Sequence, residues 1–202
     1  MSKSRHWFHA AVTFTAAFFA IALLLQALWI PLKAEVAQLL IAHSWQQALD
    51  GHPDMPPWPW ADTRTLGILS VPAHNIRQMI LEGNSGRNLA FGPVVLGGSQ
   101  LGHDLVISGH RDTHFSFLRR LQTGDQLEVQ LLGGTRLYEV SQLEIVDSRV
   151  QNIVIEPGIN RLSLVTCYPF DAALAGGPLR YVVTALPAGN AVSRFPRLIS
   201  SG

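Results

Sequence analysis

The sequence predicts an all-β fold with short helices, a closed or nearly closed barrel carried behind one N-terminal transmembrane helix. Three observations predict it. An uncharged run lies near the start, the texture changes after Ala61 to short apolar runs broken by Gly, Pro and Asn, and several of those runs alternate with period two. The composition agrees: 48% of the 202 residues are hydrophobic and 14% are charged. Soluble domains carry about 25% charged residues, so part of this chain avoids water. Fifteen basic residues against 14 acidic ones give a net charge of +1, which excludes a nucleic-acid binder held by bulk positive charge. The one cysteine, Cys167, excludes an internal disulfide framework and a Cys-rich zinc module. Internal repeats are absent.

Residues 1–9 read as a cytoplasmic N-terminus and residues 10–32 as the span, 23 positions without a formal charge. At about 1.5 Å per residue such a helix crosses a hydrocarbon layer roughly 30 Å thick. A secretory signal has a shorter apolar region and a small-x-small cleavage site, and Trp29-Ile30-Pro31-Leu32 offers none. The reading is an uncleaved anchor in the bilayer. Lys3 and Arg5 precede the span, while Lys33 is offset by Glu35, so the positive-inside bias leaves the rest of the chain outside the cytoplasm.

Residues 33–61 read as a juxtamembrane helix and a stiff linker. Val36, Leu39, Leu40 and His43 fall on one side of the helix, and Ile41, Trp45 and Leu49 on another. A stalk is the plain reading; a partner-binding helix is the alternative. The stretch from His52 to Trp60 holds four prolines and two tryptophans, which ends the helix and stiffens the chain. The two indoles can dock on the domain or sit at the lipid interface.

Residues 62–188 form the exported domain, followed by a tail at 189–202. Candidate strands are 66–71, 76–81, 104–108, 126–132, 136–146, 161–166 and 179–186. Leu127, Val129 and Leu131 share a face, as do Leu162, Leu164 and Thr166. Turn signals stand at Gly83-Asn84, Gly97-Gly98, Gly133-Gly134 and Pro157-Gly158, and one or two helical turns fit residues 113–121. Short strands in such number with little helix suggest a barrel.

Three residues are candidates for chemistry. Cys167 ends a strand and meets Tyr168-Pro169-Phe170. A free cysteine is usually buried and inert, but an unpaired thiol in an exported domain is a liability unless used. His110 ends the run Leu105 to Arg111, again where strand becomes loop, and Gly109 beside it allows close approach. An ordinary thiol, with a pKa near 8.5, needs a neighbouring base or cation, and imidazole then serves as acid toward a leaving amine. Arg180 comes 13 residues after Cys167 on the next strand. A guanidinium there can hold a developing oxyanion. A rival set, His110, His114 and Cys167 as zinc ligands, lacks the Glu of the HExxH pattern. Asp112 can orient a histidine or simply face water beside Arg111.

These residues resemble a known family. Ile107-Ser-Gly-His110-Arg111, Phe115-Ser-Phe-Leu118 and Leu121-Gln-Thr-Gly124-Asp125 are similar to the catalytic-histidine region of sortases. Leu164-Val-Thr166-Cys167 resembles their TLxTC nucleophile motif, with Ser163 where Thr is usual, and Arg180 falls where their arginine does. Trp58-Pro-Trp60-Ala-Asp62-Thr63 is similar to the stretch preceding the domain in sortases of Gram-negative bacteria, the marine proteobacterial type.

The resemblance implies a closed eight-stranded barrel and a cysteine transpeptidase at the inner membrane, its catalytic domain periplasmic. Cys167 would attack an LPxTG-like sorting motif of an exported substrate protein, His110 would protonate the leaving amine, and Arg180 would steady the oxyanion. An acceptor amine would then take the acyl group, with no metal or organic cofactor. A catalytically silent, membrane-tethered peptide-binding barrel is the alternative.

Overall fold

The computed structural model describes residues 2–83, 85–96, 104–151, 155–156, 159–172 and 176–189. Asn84 of its turn pair, the turns Gly97-Gly98 and Pro157-Gly158, and residues 190–202 of the tail lie outside them. The chain divides into two compact units, Met1–Leu39 and Leu40–Gly202, and helix α1 (Ser2–Leu49) begins in the first and ends in the second.

In the first unit most of the described apolar side chains are exposed. Phe14, Phe18, Phe19, Leu23, Leu24 and Leu25 are all exposed. A helix without a polar face is suited to lipid rather than water, and Ala17–Leu49 is long and apolar enough to cross a membrane. Where the uncharged run ends, Lys33 Nζ stands 4.7 Å from the centre of the Trp29 ring, a cation–π pair of the kind that suits a membrane interface.

The second unit is a closed mixed barrel. Its strands are β1 (Thr65–Val71), β2 (Ile76–Leu81), β3 (Val94–Val95), β4 (Asp104–Ser108), β5 (Gln126–Leu131), β6 (Gly134–Asp147), β7 (Arg161–Cys167) and β8 (Leu179–Pro187). They run round the barrel as β1-β2-β3-β4-β7-β8-β6-β5. The pairs β2–β3 and β4–β7 are parallel and the others antiparallel. Period two decides which side chains go inside: Leu105 and Ile107, Leu127 and Val129, Leu162 and Leu164, and Val183 and Ala185 fill one core. Closure by β1 against β5 needs a residue without a side chain, since a Cβ on Gly67 would lie 2.2 Å from the Gln130 carbonyl oxygen.

The seven strands expected from the sequence form with small shifts at their ends. The eighth, β3, has two residues and offers no period to read. The helical turn expected at 113–121 is a 3₁₀ segment, Ser116–Arg120, that buries Phe117 and Leu118. A single turn, α2 (Gly86–Leu89), starts at Ser85, whose side chain accepts from the Asn88 amide.

The end of α1 is more than a stalk. Ile41, Trp45 and Ala48 repeat as i, i+4, i+7 and are buried against the outside of the barrel, Ile41 beside Leu81 and Val94, and Trp45 and Ala48 beside Ile68. Leu49 lies one further step round the helix and remains exposed. Ser44 donates to the Met55 carbonyl (2.8 Å), and Thr65 donates to the Ile41 carbonyl two turns before the end of the helix (3.1 Å). The linker tryptophans divide: Trp58 packs edge-on against Phe91 with centroids 5.0 Å apart, while Trp60 is 81% exposed.

Candidate active site

The three candidate residues meet at one rim of the barrel. On β7, Leu162 and Leu164 point into the core, so Ser163, Val165 and Cys167 face outward. On β8, Val183 and Ala185 point inward, so Val182 and Arg180 face outward. The register pairs Cys167 directly with Arg180. Both therefore stand at the end of a buried apolar cluster on the outer side of the sheet, Val106, Val165 and Val182, covered by Leu96, Val146 and Ile155.

His110 arrives from the other side of β7. The parallel β4–β7 ladder pairs Ser108 with Val165, and Gly109 continues it by donating its amide to the Val165 carbonyl (3.1 Å). The next step of that register carries His110 toward Cys167. Thr166 faces the core and donates its hydroxyl to the Gly109 carbonyl at 2.7 Å, so the residue before the cysteine is bonded to the residue before the histidine. Gly109 is required for a different contact from the one its position suggests. A Cβ there would lie 2.7 Å from Cγ of the buried Phe115 ring. His110 itself is exposed, and its carbonyl accepts from the Phe115 amide (2.9 Å), which turns the chain back into the core.

Arg180 is held by the connection before its own strand. Its Nη1 donates to the Gly177 carbonyl (2.6 Å) and to the Leu179 carbonyl (2.9 Å). Beyond Cys167, Tyr168 donates its amide to the Leu179 carbonyl (3.0 Å), and Tyr168-Pro169 is a cis peptide. Tyr168, Phe170 and Tyr181 form an aromatic cluster, with Tyr168 stacked on Tyr181 at 6.2 Å and Phe170 edge-on to Tyr181 at 5.2 Å. Partial burial raises the Tyr181 pKa, so its phenol stays neutral at physiological pH.

The rival zinc set does not assemble. Among the described residues no group of three His, Cys, Asp or Glu side chains could hold a metal ion. His114 turns instead to Gln78 on β2, with Nδ1 and Oε1 3.2 Å apart. Burial lowers its pKa, and His110 when charged pushes the same way. Asp112 orients Arg111 rather than a histidine, accepting from Nε at 3.0 Å.

Two parts of the site escaped the sequence reading. Arg111 is buried and donates to backbone carbonyls of the segment after Cys167. The inward face of Thr166 was legible, but not its bond to Gly109. In both cases the partner is a main-chain carbonyl more than 50 positions away in the chain, and no residue type marks such a carbonyl.

Residues 69–188 match the family model of the sortase domain. The chain is 35% identical to Sortase D of Bacillus subtilis over 129 residues, 58% of this chain and 61% of that protein. It thus spans about three fifths of that relative's length. Among solved structures it is similar to sortase C1 of Streptococcus agalactiae, with 31% identity, a TM-score of 0.52, and 63% of this chain and 69% of that one covered. It also shares the fold of Clostridium perfringens sortase C, solved with its C-terminal cell wall sorting motif, at 21% identity and a TM-score of 0.55 over 77% of this chain and 89% of that one. The family model covers more than half of the chain, its barrel is the one these structures share, and the chain belongs to the sortase family.

Proposed function

We propose that this protein is a membrane-anchored cysteine transpeptidase that cleaves an LPxTG-like sorting motif in exported proteins and passes the acyl group to an amine. The observation that carries this reading is the register: Cys167 opposite Arg180, with the His110 loop continuing the strand on the other side of β7. A substrate backbone laid across the exposed His110 and the half-buried Cys167 and Arg180 would bring its scissile carbonyl to Cys167.

In this mechanism the Cys167 thiolate forms a bond from Sγ to the scissile carbonyl carbon. The oxygen takes up the negative charge, and Arg180 donates to it through guanidinium N–H groups. As the tetrahedral intermediate collapses, the C–N bond breaks and His110 gives its proton to the departing amine, leaving a thioester on Cys167. The acceptor amine then attacks the thioester, His110 takes up its proton, and the C–S bond breaks to return the thiolate and a new amide. Water in place of the amine yields a carboxylic acid. These steps need no metal or organic cofactor.

The uncharged run, the outward apolar side chains of α1 and the Trp29–Lys33 pair support residues 10–32 as an uncleaved anchor in the inner membrane. The catalytic unit would then face the periplasm. The Trp58-Pro-Trp60 segment, of which Trp58 packs on Phe91, supports placement with the Gram-negative type of the family.

The test is intact-protein mass spectrometry of the full chain in detergent, incubated with an LPxTG-type peptide library with and without an acceptor amine. The expected result is a peptide-fragment adduct on Cys167 that the amine discharges, and that is lost in Cys167→Ala while the melting temperature is kept. Intact peptide retained without an adduct would favour the silent binding barrel instead.

A further inference from the structure

Arg111 follows exposed His110 directly, yet it is 6% exposed. Its Nη1 donates to the Pro169 carbonyl at 2.5 Å, its Nη2 donates to the Ala172 carbonyl at 2.6 Å, and its Nε donates to Asp112 at 3.0 Å. Pro169 and Ala172 lie 58 and 61 positions further along the chain, in the segment that leaves Cys167. One guanidinium therefore ties the loop that begins at His110 to the loop that begins after Cys167.

Among the described residues, no backbone–backbone hydrogen bond joins these two loops beyond Gly109 and Thr166. The β4–β7 ladder ends at Ser108 and Val165, and the bonds that extend it, from the Gly109 amide to the Val165 carbonyl and from Thr166 to the Gly109 carbonyl, stop one residue short of His110 and of Cys167. Past that point the strands no longer fix one segment against the other. A buried charge is costly unless its donors are satisfied, and here all three guanidinium nitrogens have acceptors. Two of them go to separate carbonyls in the plane of one rigid fork, which fixes orientation as well as distance.

We infer that Arg111 is a positioning residue for the Cys167–His110 pair, setting the separation between Sγ and the imidazole before substrate arrives. The inference rests on the transpeptidase reading for its consequence in turnover, but its geometric content is open to test without turnover. The hydrogen-bond partners of the Arg111 side chain among the described residues are Asp112, Pro169 and Ala172, none of them a reacting group. Its effect would pass through the two loops.

The experiment compares the full-length protein in detergent with Arg111→Ala, Arg111→Lys and His110→Ala. Three quantities are read: the melting temperature, kcat and KM for cleavage of an LPxTG-type peptide well below that temperature, and the pH profile of Cys167 alkylation by iodoacetamide. In Arg111→Ala, kcat falls by about 100-fold, the loss that a displacement near 1 Å produces, while KM stays near its original value. The alkylation profile moves toward that of His110→Ala. Lysine keeps the charge but cannot span both carbonyls, so Arg111→Lys shifts in the same direction by less, and it serves if the alanine variant does not fold.

A folded variant with unchanged kcat and an unchanged alkylation profile would overturn the inference. So would a kcat loss with the wild-type profile, since that describes a residue needed only for the fold. If the wild-type protein cleaves no peptide, the transpeptidase reading fails on its own. The alkylation profiles still decide whether Arg111 sets the Cys167–His110 geometry.

Discussion

His114 shows how a residue beside the site couples the fold to pH. It is half-buried between β2 and the His110 loop, near Gln78, and burial holds its pKa below the ordinary value. The unfolded chain binds the proton at about pH 6.5 while the folded chain still resists it. Stability is therefore lost as pH falls through that value, and the loss is complete only below the folded pKa. His114→Gln keeps a polar partner for Gln78 and removes the titration. The urea midpoint of the wild-type protein should drop more steeply than that of the variant between about pH 8 and pH 5. Parallel curves for the two proteins would mean that other groups carry the acid sensitivity. At this scale the sequence offered Cys167, His110 and Arg180 as candidates by type and position, and each stands at or just past a strand end. It offered His114 only as a zinc ligand and gave Arg111 no role, because their partners Gln78, Pro169 and Ala172 come near from distant parts of the chain.

Strands β4 and β7 lead to the candidates His110 and Cys167 at one end and carry an ion pair with a buried carboxylate at the other. Asp104 and Arg161 are register partners at the first step of the ladder. Asp104 is 1% exposed and accepts from Arg161 Nη2 at 2.6 Å, from Arg161 Nε at 3.0 Å, and from the Glu156 amide at 2.8 Å. The pairing raises the Arg161 pKa, chiefly through the hydrogen bond to Asp104. Removing Asp104 takes away the carboxylate that accepts from Arg161 and from the Glu156 amide. Asp104→Ala should therefore cost about 3 kcal/mol, measured by urea unfolding. Arg161 is partly exposed, so water offsets some of the loss and the cost belongs at the lower end of the roughly 3–5 kcal/mol typical of breaking a buried pair. A change under about 1 kcal/mol, the ordinary worth of a surface pair, would show that the bridge does not hold the strands. The strands themselves were legible because Leu, Val and Ile alternate along them. The partnering of β4 with β7, parallel and far apart in sequence, was not, because period two gives a face and no neighbour.

Across the whole second unit, burial begins before the strands do. The change of texture after Ala61 marks where strands begin, and a reader of composition alone would cut there. Burial extends further back: Ile41 is 0% exposed and Trp45 1%, and the linker returns Trp58 to Phe91. These side chains cover Ile68, Leu81, Val94 and Met79 on the outward side of the sheet. Sequence periodicity placed Ile41 and Trp45 on one helical face but gave that face no partner, because the positions that receive it are spread over three strands. Burying a large apolar side chain contributes about 1.5–3 kcal/mol, so losing both residues costs roughly 3–6 kcal/mol, and Trp58 adds to that. A soluble form beginning at residue 40 should therefore unfold cooperatively by circular dichroism, with a melting temperature well above that of a form beginning at residue 62. The shorter form exposes the Ile68–Leu81–Val94 face and should bind a hydrophobic dye or self-associate, which size-exclusion chromatography would detect. Equal melting temperatures and equal dye binding would show that the barrel is complete without the helix end. The buried faces of Ile41 and Trp45 require the opposite result.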